Sequence, residues 1–169
     1  MDSREQITTV GDGLSVLAPA KINLSLLIAG KRPDGFHEIE TIMAKIDWYD
    51  EILIQPGRQT GIELTCRGSN WAPAGEDNLV YIAAENLLDS CGLTPDVRIT
   101  LTKYIPAGTG LGSASSDAAA TLAGINHYFK LGLDQKSGKV ENFVYFFYFF
   151  SFSCTKCKWS TQKESDIAA

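Results

Sequence analysis

The sequence contains little cysteine. Four cysteines occur in 169 residues, which is not the density of a secreted disulfide scaffold. Cys154 and Cys157 form a single Cys-x-x-Cys pair, whereas a structural zinc site needs a second pair or two histidines. The two histidines, His37 and His127, are far from this pair in the sequence. We therefore expect reduced thiols, with neither a disulfide framework nor a zinc centre.

Positive charge is also in short supply. The chain has 15 lysines and arginines against 20 aspartates and glutamates, a formal net charge of −5. Proteins that bind nucleic acid usually show a basic surplus, because they must neutralise the phosphate backbone. Nucleic acid is therefore not expected as the main partner, although a local basic site for a small anion is still allowed.

Long apolar runs and targeting signals are missing as well. The longest apolar stretch, Phe143 to Phe152, is much shorter than the roughly 20 residues that span a bilayer as a helix. No membrane span is expected. Residues 1–13 have no apolar core and carry acidic residues, so they read neither as a secretory signal nor as a transit peptide. We expect a cytoplasmic protein, or a plastid one if a transit peptide has been lost.

The residues that are present predict a globular chain whose first half is rich in β-strands. Hydrophobic residues make up 44% and charged residues 21% of the chain, as in ordinary soluble domains. Apolar residues alternate from Ile22 to Ile28, which predicts a half-buried strand with Lys21, Asn23 and Ser25 on its opposite face. His37 follows a turn-forming segment directly after this strand.

Further periodic segments predict an α+β fold with a mixed, antiparallel-rich sheet and two main helices. The strands expected next are residues 40–47, 51–55 and 62–66, joined as antiparallel neighbours by short links, and then residues 97–105. One helix is expected from an Asp77 cap to Gly92, and a second from Ser113 to Gly132. After about Asp134 the chain shows an aromatic block and a polar tail without amphipathic periodicity.

A glycine-rich loop joins the last strand to the second helix. Glycines at alternate positions let successive backbone N–H groups converge on one anion, and the helix start adds free N–H groups. The loop is neither a Walker A motif nor G-x-G-x-x-G. The alternative is a tight connection whose glycines serve only packing. The candidate phosphate-binding residues are Pro106, Ala107, Gly108, Thr109, Gly110, Leu111, Gly112, Ser113, Ala114, Ser115 and Ser116.

This loop resembles the phosphate loop of the GHMP kinase superfamily, whose form is P-x-x-x-G-L-G-S-S-A. Residues 18–24 (APAKINL) and 32–37 (RPDGFH) resemble the opening of one branch of that superfamily, which phosphorylates 4-diphosphocytidyl-2-C-methyl-D-erythritol. Residues 76–79 (EDNL) are similar to the same branch. Ordered motifs at plausible separations are far more specific than any one of them.

The resemblance implies a ribosomal protein S5 domain 2-like fold and a kinase of non-mevalonate isoprenoid biosynthesis. ATP and Mg²⁺ are the implied cofactors, and a cytidine diphosphate-linked methylerythritol is the implied substrate. Lys21 would be the catalytic lysine and also contact the substrate, together with Asn23, Phe36 and His37. Ser115 is the candidate Mg²⁺ ligand. The competing interpretation is that Lys21, Asn23 and His37 are ordinary surface residues.

Two nearby residues have simpler explanations. Asp117 could reach Mg²⁺ through water, but an acidic residue in the first turn of a helix is equally expected from the helix dipole. His127, near the end of the second helix, suits the negative end of that dipole and is assigned no catalysis.

The sequence also departs from the superfamily. The catalytic aspartate of the family comes from a Gly-Ala-Asp motif, and beyond Asp117 the chain has only Asp134 and Asp166, neither in such a setting. We expect a kinase N-terminal domain over residues 15–134 and a truncated product whose residues 135–169 are non-native. A catalytically dead nucleotide-binding or interaction module is one alternative. Another GHMP kinase, of mevalonate or homoserine type, is the other.

Overall fold

A computed structural model of the chain describes residues 6–31, 33, 37–133 and 157–159. The aromatic block at 143–152, Cys154 and Phe36 lie outside these residues, and the domain boundaries at 15–134 stay a prediction. The strands are β1 (Ile7–Val10), β2 (Gly13–Lys31), β3 (His37–Pro56), β4 (Ile62–Gly68), β5 (Val97–Lys103) and β6 (Cys157–Trp159), and the helices are α1 (Leu79–Ser90) and α2 (Ser113–Tyr128).

The strands form one mixed sheet, and the predicted α+β class is confirmed. The order is β1-β2-β3-β5-β4, with β6 beside β3. The pairs β1/β2, β2/β3 and β3/β5 are antiparallel, whereas β4/β5 and β3/β6 are parallel. The expectation that β4 would be an antiparallel neighbour was wrong, because α1 lies between β4 and β5 and returns the chain to the same end of the sheet.

Several element boundaries differ from those expected. Strand β5 ends at Lys103 rather than at residue 105, and α2 ends at Tyr128 rather than at Gly132. Residues 40–47 and 51–55 belong to one continuous strand, β3, since its residues stay paired with β2 through a register shift between Pro19 and Lys21. Helix α1 is capped by Asn78 rather than Asp77: the Asn78 side chain accepts a hydrogen bond from the Val80 N–H at 2.9 Å. Asp77 ends a short 3₁₀ turn before the cap.

The hydrophobic core lies between the two helices and one part of the sheet. The apolar residues that recur with helical periodicity in α1 and α2 are buried, apart from Cys91 and Phe129, which are partly buried beside the core. The buried ones are Val80, Ala83, Ala84, Leu87 and Leu88 in α1 and Ala118, Leu122 and Ile125 in α2. On β2, the buried residues end at Ala20. None of the helices in the described residues is long and apolar enough to cross a membrane.

The second half of β2 does not join this core. The expected strand is present, but the expectation that it is half-buried was wrong. Ile22 is 36% exposed and Leu24 64% exposed, and Leu26 and Ile28 are similarly open. Strand β5 pairs with β3 only from Glu51 to Pro56. Beyond that point β2 and β3 continue as a ribbon of two strands, which we define as residues 22–31 and 37–48. In the described part of the chain, no helix covers this ribbon.

Candidate functional site

The loop between β5 and α2 is shaped by three glycines in the left-handed region. Gly108, Gly110 and Gly112 have φ values of +74°, +77° and +72°. A side chain at any of them would be strained. Apart from the chain neighbours, no atom of the described residues lies within 4 Å of the Cβ positions that Gly108 and Gly110 lack. The backbone of the loop is therefore open to a ligand.

The loop ends at the N-terminus of α2. Gly112 is the N-cap and provides no side-chain hydrogen bond. The Ser116 N–H donates to the Gly112 carbonyl at 3.0 Å, so the N–H groups before it have no partner within the helix. Free N–H groups and the positive end of the helix dipole attract anions at such a terminus.

Three serines follow the loop, and they differ in burial and hydrogen bonding. Ser113 and Ser115 are buried, and Ser116 is half-buried. The Ser115 hydroxyl has no hydrogen-bond partner within the described residues. Thr109, in the loop itself, donates from its hydroxyl to the Pro106 carbonyl at 2.9 Å and so closes the first turn of the loop.

Lys21 lies directly against this loop. Its backbone N–H donates to the Leu111 carbonyl at 3.0 Å. Its side chain crosses Gly112, where an added Cβ would come within 3.2 Å of both the Lys21 Cγ and Cε atoms. The Lys21 ammonium also donates to the Asn23 side-chain oxygen at 3.3 Å, and burial lowers the pKa of Lys21. Lys21, Asn23 and the glycine loop thus form one site.

His37 lies elsewhere in the structure. It pairs with Lys31 at the far end of the ribbon, whereas Lys21 pairs with Lys45 near its base. The described contacts do not join His37 to Lys21 or to the loop. His127 is in the last turn of α2, at the helix end opposite the loop.

A buried charge cluster beneath the loop was missed at the sequence level. Lys103 at the end of β5 donates to Asp50 Oδ2 on β3, and to Asp117 Oδ2 on α2 at 2.7 Å. All three side chains are at most 3% exposed. Asp117 is therefore ion-paired inside the protein, and it lies after the first turn of α2, so its expected place in the first turn of a helix was wrong. The sequence did contain a signal for this cluster: alternation along β5 places Lys103 on the same buried face as Ile99 and Leu101.

The cluster also contacts the backbone that leads into the loop. Asp50 Oδ1 accepts hydrogen bonds from the N–H groups of Tyr104 at 2.6 Å and Ile105 at 2.9 Å. Asp117 Oδ1, in contrast, has no partner among the described residues. Burial raises the pKa of Asp117 to about 7; the nearby Asp50 adds to this rise and Lys103 opposes it. Asp117 is thus the carboxyl that takes up a proton near neutral pH.

Comparison with known proteins gives a consistent result. Residues 78–142 match a family model described as the GHMP kinases N terminal domain. A 4-diphosphocytidyl-2-C-methyl-D-erythritol kinase from Prosthecochloris aestuarii is 46% identical over 118 residues, which are 70% of this chain and 40% of that protein. A kinase of the same name from Citrifermentans bemidjiense is also 46% identical, over 71% of this chain and 42% of its own length. The chain thus spans about two fifths of the length of these curated relatives.

Solved structures agree in fold. A crystal structure of a 4-(cytidine 5'-diphospho)-2C-methyl-D-erythritol kinase superposes with a TM-score of 0.62 and 38% identity, over 71% of this chain and 42% of the other. Homoserine kinase from Cytophaga hutchinsonii gives a TM-score of 0.63 at 24% identity, over 88% of this chain and 45% of the other, which supports the fold alone. The chain therefore carries a GHMP kinase N-terminal domain.

Proposed function

We propose that this protein binds Mg²⁺-ATP at its glycine loop and transfers a phosphoryl group to a hydroxyl of 4-diphosphocytidyl-2-C-methyl-D-erythritol, in non-mevalonate isoprenoid biosynthesis. The observation that carries the proposal is the contact between Lys21 and the loop. It brings a cation and an anion-binding backbone together at one point. Phosphoryl transfer depends on such positioning and charge stabilisation.

The residues of the loop fit a polyphosphate. Left-handed glycines leave the backbone of Gly108 and Gly110 open, and the first N–H groups of α2 lack partners within the helix. The buried Ser115 hydroxyl also lacks a partner within the described residues and is our candidate for a contact with Mg²⁺ or with a phosphate oxygen. When bound, Mg²⁺-ATP supplies the phosphoryl group and part of the charge neutralisation.

Lys21 would serve the acceptor side of the reaction. Its ammonium is held by Asn23 on the same strand, and an ammonium in that place stabilises negative charge that develops on the transferred group or on the acceptor oxygen. Its pKa is lowered by burial, so it releases a proton more readily than a surface lysine. Asn23 is our candidate for a hydrogen bond to the acceptor.

The cytidine end of the substrate is assigned to Phe36 and His37 by resemblance. The described residues place His37 at the far end of the ribbon from Lys21. Contact of one substrate molecule with both Lys21 and His37 therefore stays a prediction from the resemblance. The names of the relatives support this substrate class.

A second candidate function is nucleotide binding without turnover. The observation that favours it is that Asp117, the first carboxylate after the loop, is buried and bonded to Lys103 rather than exposed to an acceptor. Homoserine and mevalonate remain the alternative acceptors.

The test is a titration of the full chain with Mg²⁺-ATP, followed by an assay for ADP release with each acceptor. Lys21→Ala is the informative variant, and Arg58→Ala is its control, because Arg58 is an exposed cation on the loop between β3 and β4. We expect a loss of turnover on the order of 100-fold or more for Lys21→Ala, and none for Arg58→Ala. Nucleotide binding without ADP release would favour the second function, and no binding would overturn both.

A further inference from the structure

The buried charge cluster joins the three elements that surround the glycine loop. Asp50 belongs to β3, Lys103 to β5 and Asp117 to α2. Lys103 donates to both carboxylates. The cluster therefore links the strand that enters the loop to the helix that leaves it, with a second strand as the anchor.

The hydrogen bonds of the cluster fall on the two flanks of the loop. Before the loop, Asp50 Oδ1 holds the N–H groups of Tyr104 and Ile105, the last two residues ahead of Pro106. After the loop, Asp117 lies one residue beyond Ser116 in the first turns of α2. Neither flank is held by packing alone.

Stability alone does not account for such a cluster. Buried ion pairs lose hydration on burial, and apolar side chains of similar volume often serve stability as well or better. An apolar cluster could not, however, accept the N–H groups of Tyr104 and Ile105. The charges here are thus matched to a particular path of the backbone.

We propose that Asp50, Lys103 and Asp117 are positioning residues that hold both flanks of the glycine loop, and that this positioning supports phosphate binding at the loop. The second part rests on the proposed nucleotide-binding function. The first part concerns the loop itself and is independent of that function.

The role in binding is tested by titrating the full chain with Mg²⁺-ATP. Asp50→Ala should weaken binding on the order of tenfold, because a loop that is not preorganised must be ordered when the nucleotide binds. Leu88→Ala, a substitution in the core of α1, is the control and should bind as the wild type does. Equal affinities of Asp50→Ala and the wild type would overturn the role in binding.

The positioning part is tested without nucleotide, by hydrogen exchange of the full chain. Asp50→Ala should raise the exchange rate of residues 104–116 by about tenfold or more relative to α1. Leu88→Ala, a core substitution in α1, is the control for a general loss of stability, and it should raise exchange in α1 without singling out the loop. Uniform acceleration in both variants would overturn the proposal.

Two outcomes need separate interpretation. If the wild type does not bind Mg²⁺-ATP, the proposed function and the role in binding both fail, while the exchange experiment still decides whether the cluster positions the loop. If Asp50→Ala does not fold, Asp117→Asn replaces it in both measurements. Exchange of residues 104–116 that rises no more than that of α1 would then overturn the positioning role.

Discussion

The two halves of the β2–β3 pair differ sharply although their sequences look alike. In the first half of β2, Leu14, Val16 and Ala18 point into the core and are at most 4% exposed. In the second half, Leu24, Leu26 and Ile28 alternate in the same way and are at least 52% exposed. Alternation therefore reports the strand and its two faces, but not whether anything covers them.

The candidate site lies at the boundary between the two halves. Lys21 directly follows Ala20, the last buried residue of β2, and Asp50 is the first buried residue of β3 beyond the ribbon. The pairing of β2 and β3 shifts register between Pro19 and Lys21. At such a boundary a polar side chain can reach both the glycine loop and open space. The comparison thus explains why the site is there.

The largest expected effect is a matched isoleucine truncation in each half. Ile54→Ala, at a fully buried position, should lower the free energy of unfolding by about 2–5 kcal/mol, because it removes core contacts and leaves a cavity. Ile28→Ala in the ribbon, where the side chain is 61% exposed, should change it by no more than about 0.5 kcal/mol. Urea unfolding measures both, and equal losses would mean that the ribbon is covered.

A matched glycine substitution should have the next largest effect. A Cβ at Gly124 would lie 2.6 Å from Ile54 Cδ1 and 2.9 Å from Val16 Cγ2, whereas a Cβ at Gly30 would meet no atom of the described residues within 4 Å apart from its chain neighbours. Gly124→Ala should lower the free energy of unfolding by roughly 1–3 kcal/mol, because overpacking outweighs the gain in helix propensity. Gly30→Ala should have almost no effect.

The glycine prediction has an internal control. Ile54→Val removes the Cδ1 atom that the new Cβ would meet, so adding it to Gly124→Ala should cost less than the sum of the two single changes. If the two losses in the free energy of unfolding simply add in the double variant, the Cβ added by Gly124→Ala does not clash with Ile54 Cδ1.

A smaller effect is expected from pH at the boundary. The folded-state pKa of Asp117 is raised to about 7 from an ordinary value of 3.8, so the native state holds a proton that the unfolded chain has released. The stability from this group is therefore lost as pH rises through about 7. Between about pH 6 and about pH 8 the loss should be roughly 1 kcal/mol.

Asp117→Asn is the control for the pH effect. Unfolding of both proteins at several pH values gives the difference, in which contributions from other groups cancel. The Asp117→Asn variant should lack the loss near neutral pH. A wild type that becomes more stable over this range relative to the variant would contradict the raised pKa.

The smallest effect on stability is expected for a charge placed on the ribbon. Ile42 is 60% exposed, so Ile42→Lys should change the free energy of unfolding by less than about 0.5 kcal/mol. It should nevertheless reduce self-association measured by light scattering, since it interrupts an exposed apolar surface. A large loss of stability would instead reveal that Ile42 packs against another part of the chain.

Local patterns predicted the elements around the loop correctly. The order of strand, glycine loop and helix was visible because glycines and a proline interrupt two periodic segments. The burial of Ala83, Leu87, Ala118 and Leu122 also followed from helical periodicity. Such features depend on neighbours within a few residues, so the sequence contains the necessary information. Caps were less certain, as the shift from Asp77 to Asn78 shows.

Other features arose only when distant segments met. The parallel pairing of β4, the exposure of the ribbon and the contact of Lys21 with Gly112 depend on which surfaces the helices cover. The ion pairs of Lys103 depend on the same packing. Burial then raises the pKa of Asp117 and lowers that of Lys21. The sequence by itself determined the helices, the glycine loop and the resemblance to a kinase family, because these are local patterns. The tertiary structure alone decided what lies against the loop, because contact between distant residues is a property of the packed chain.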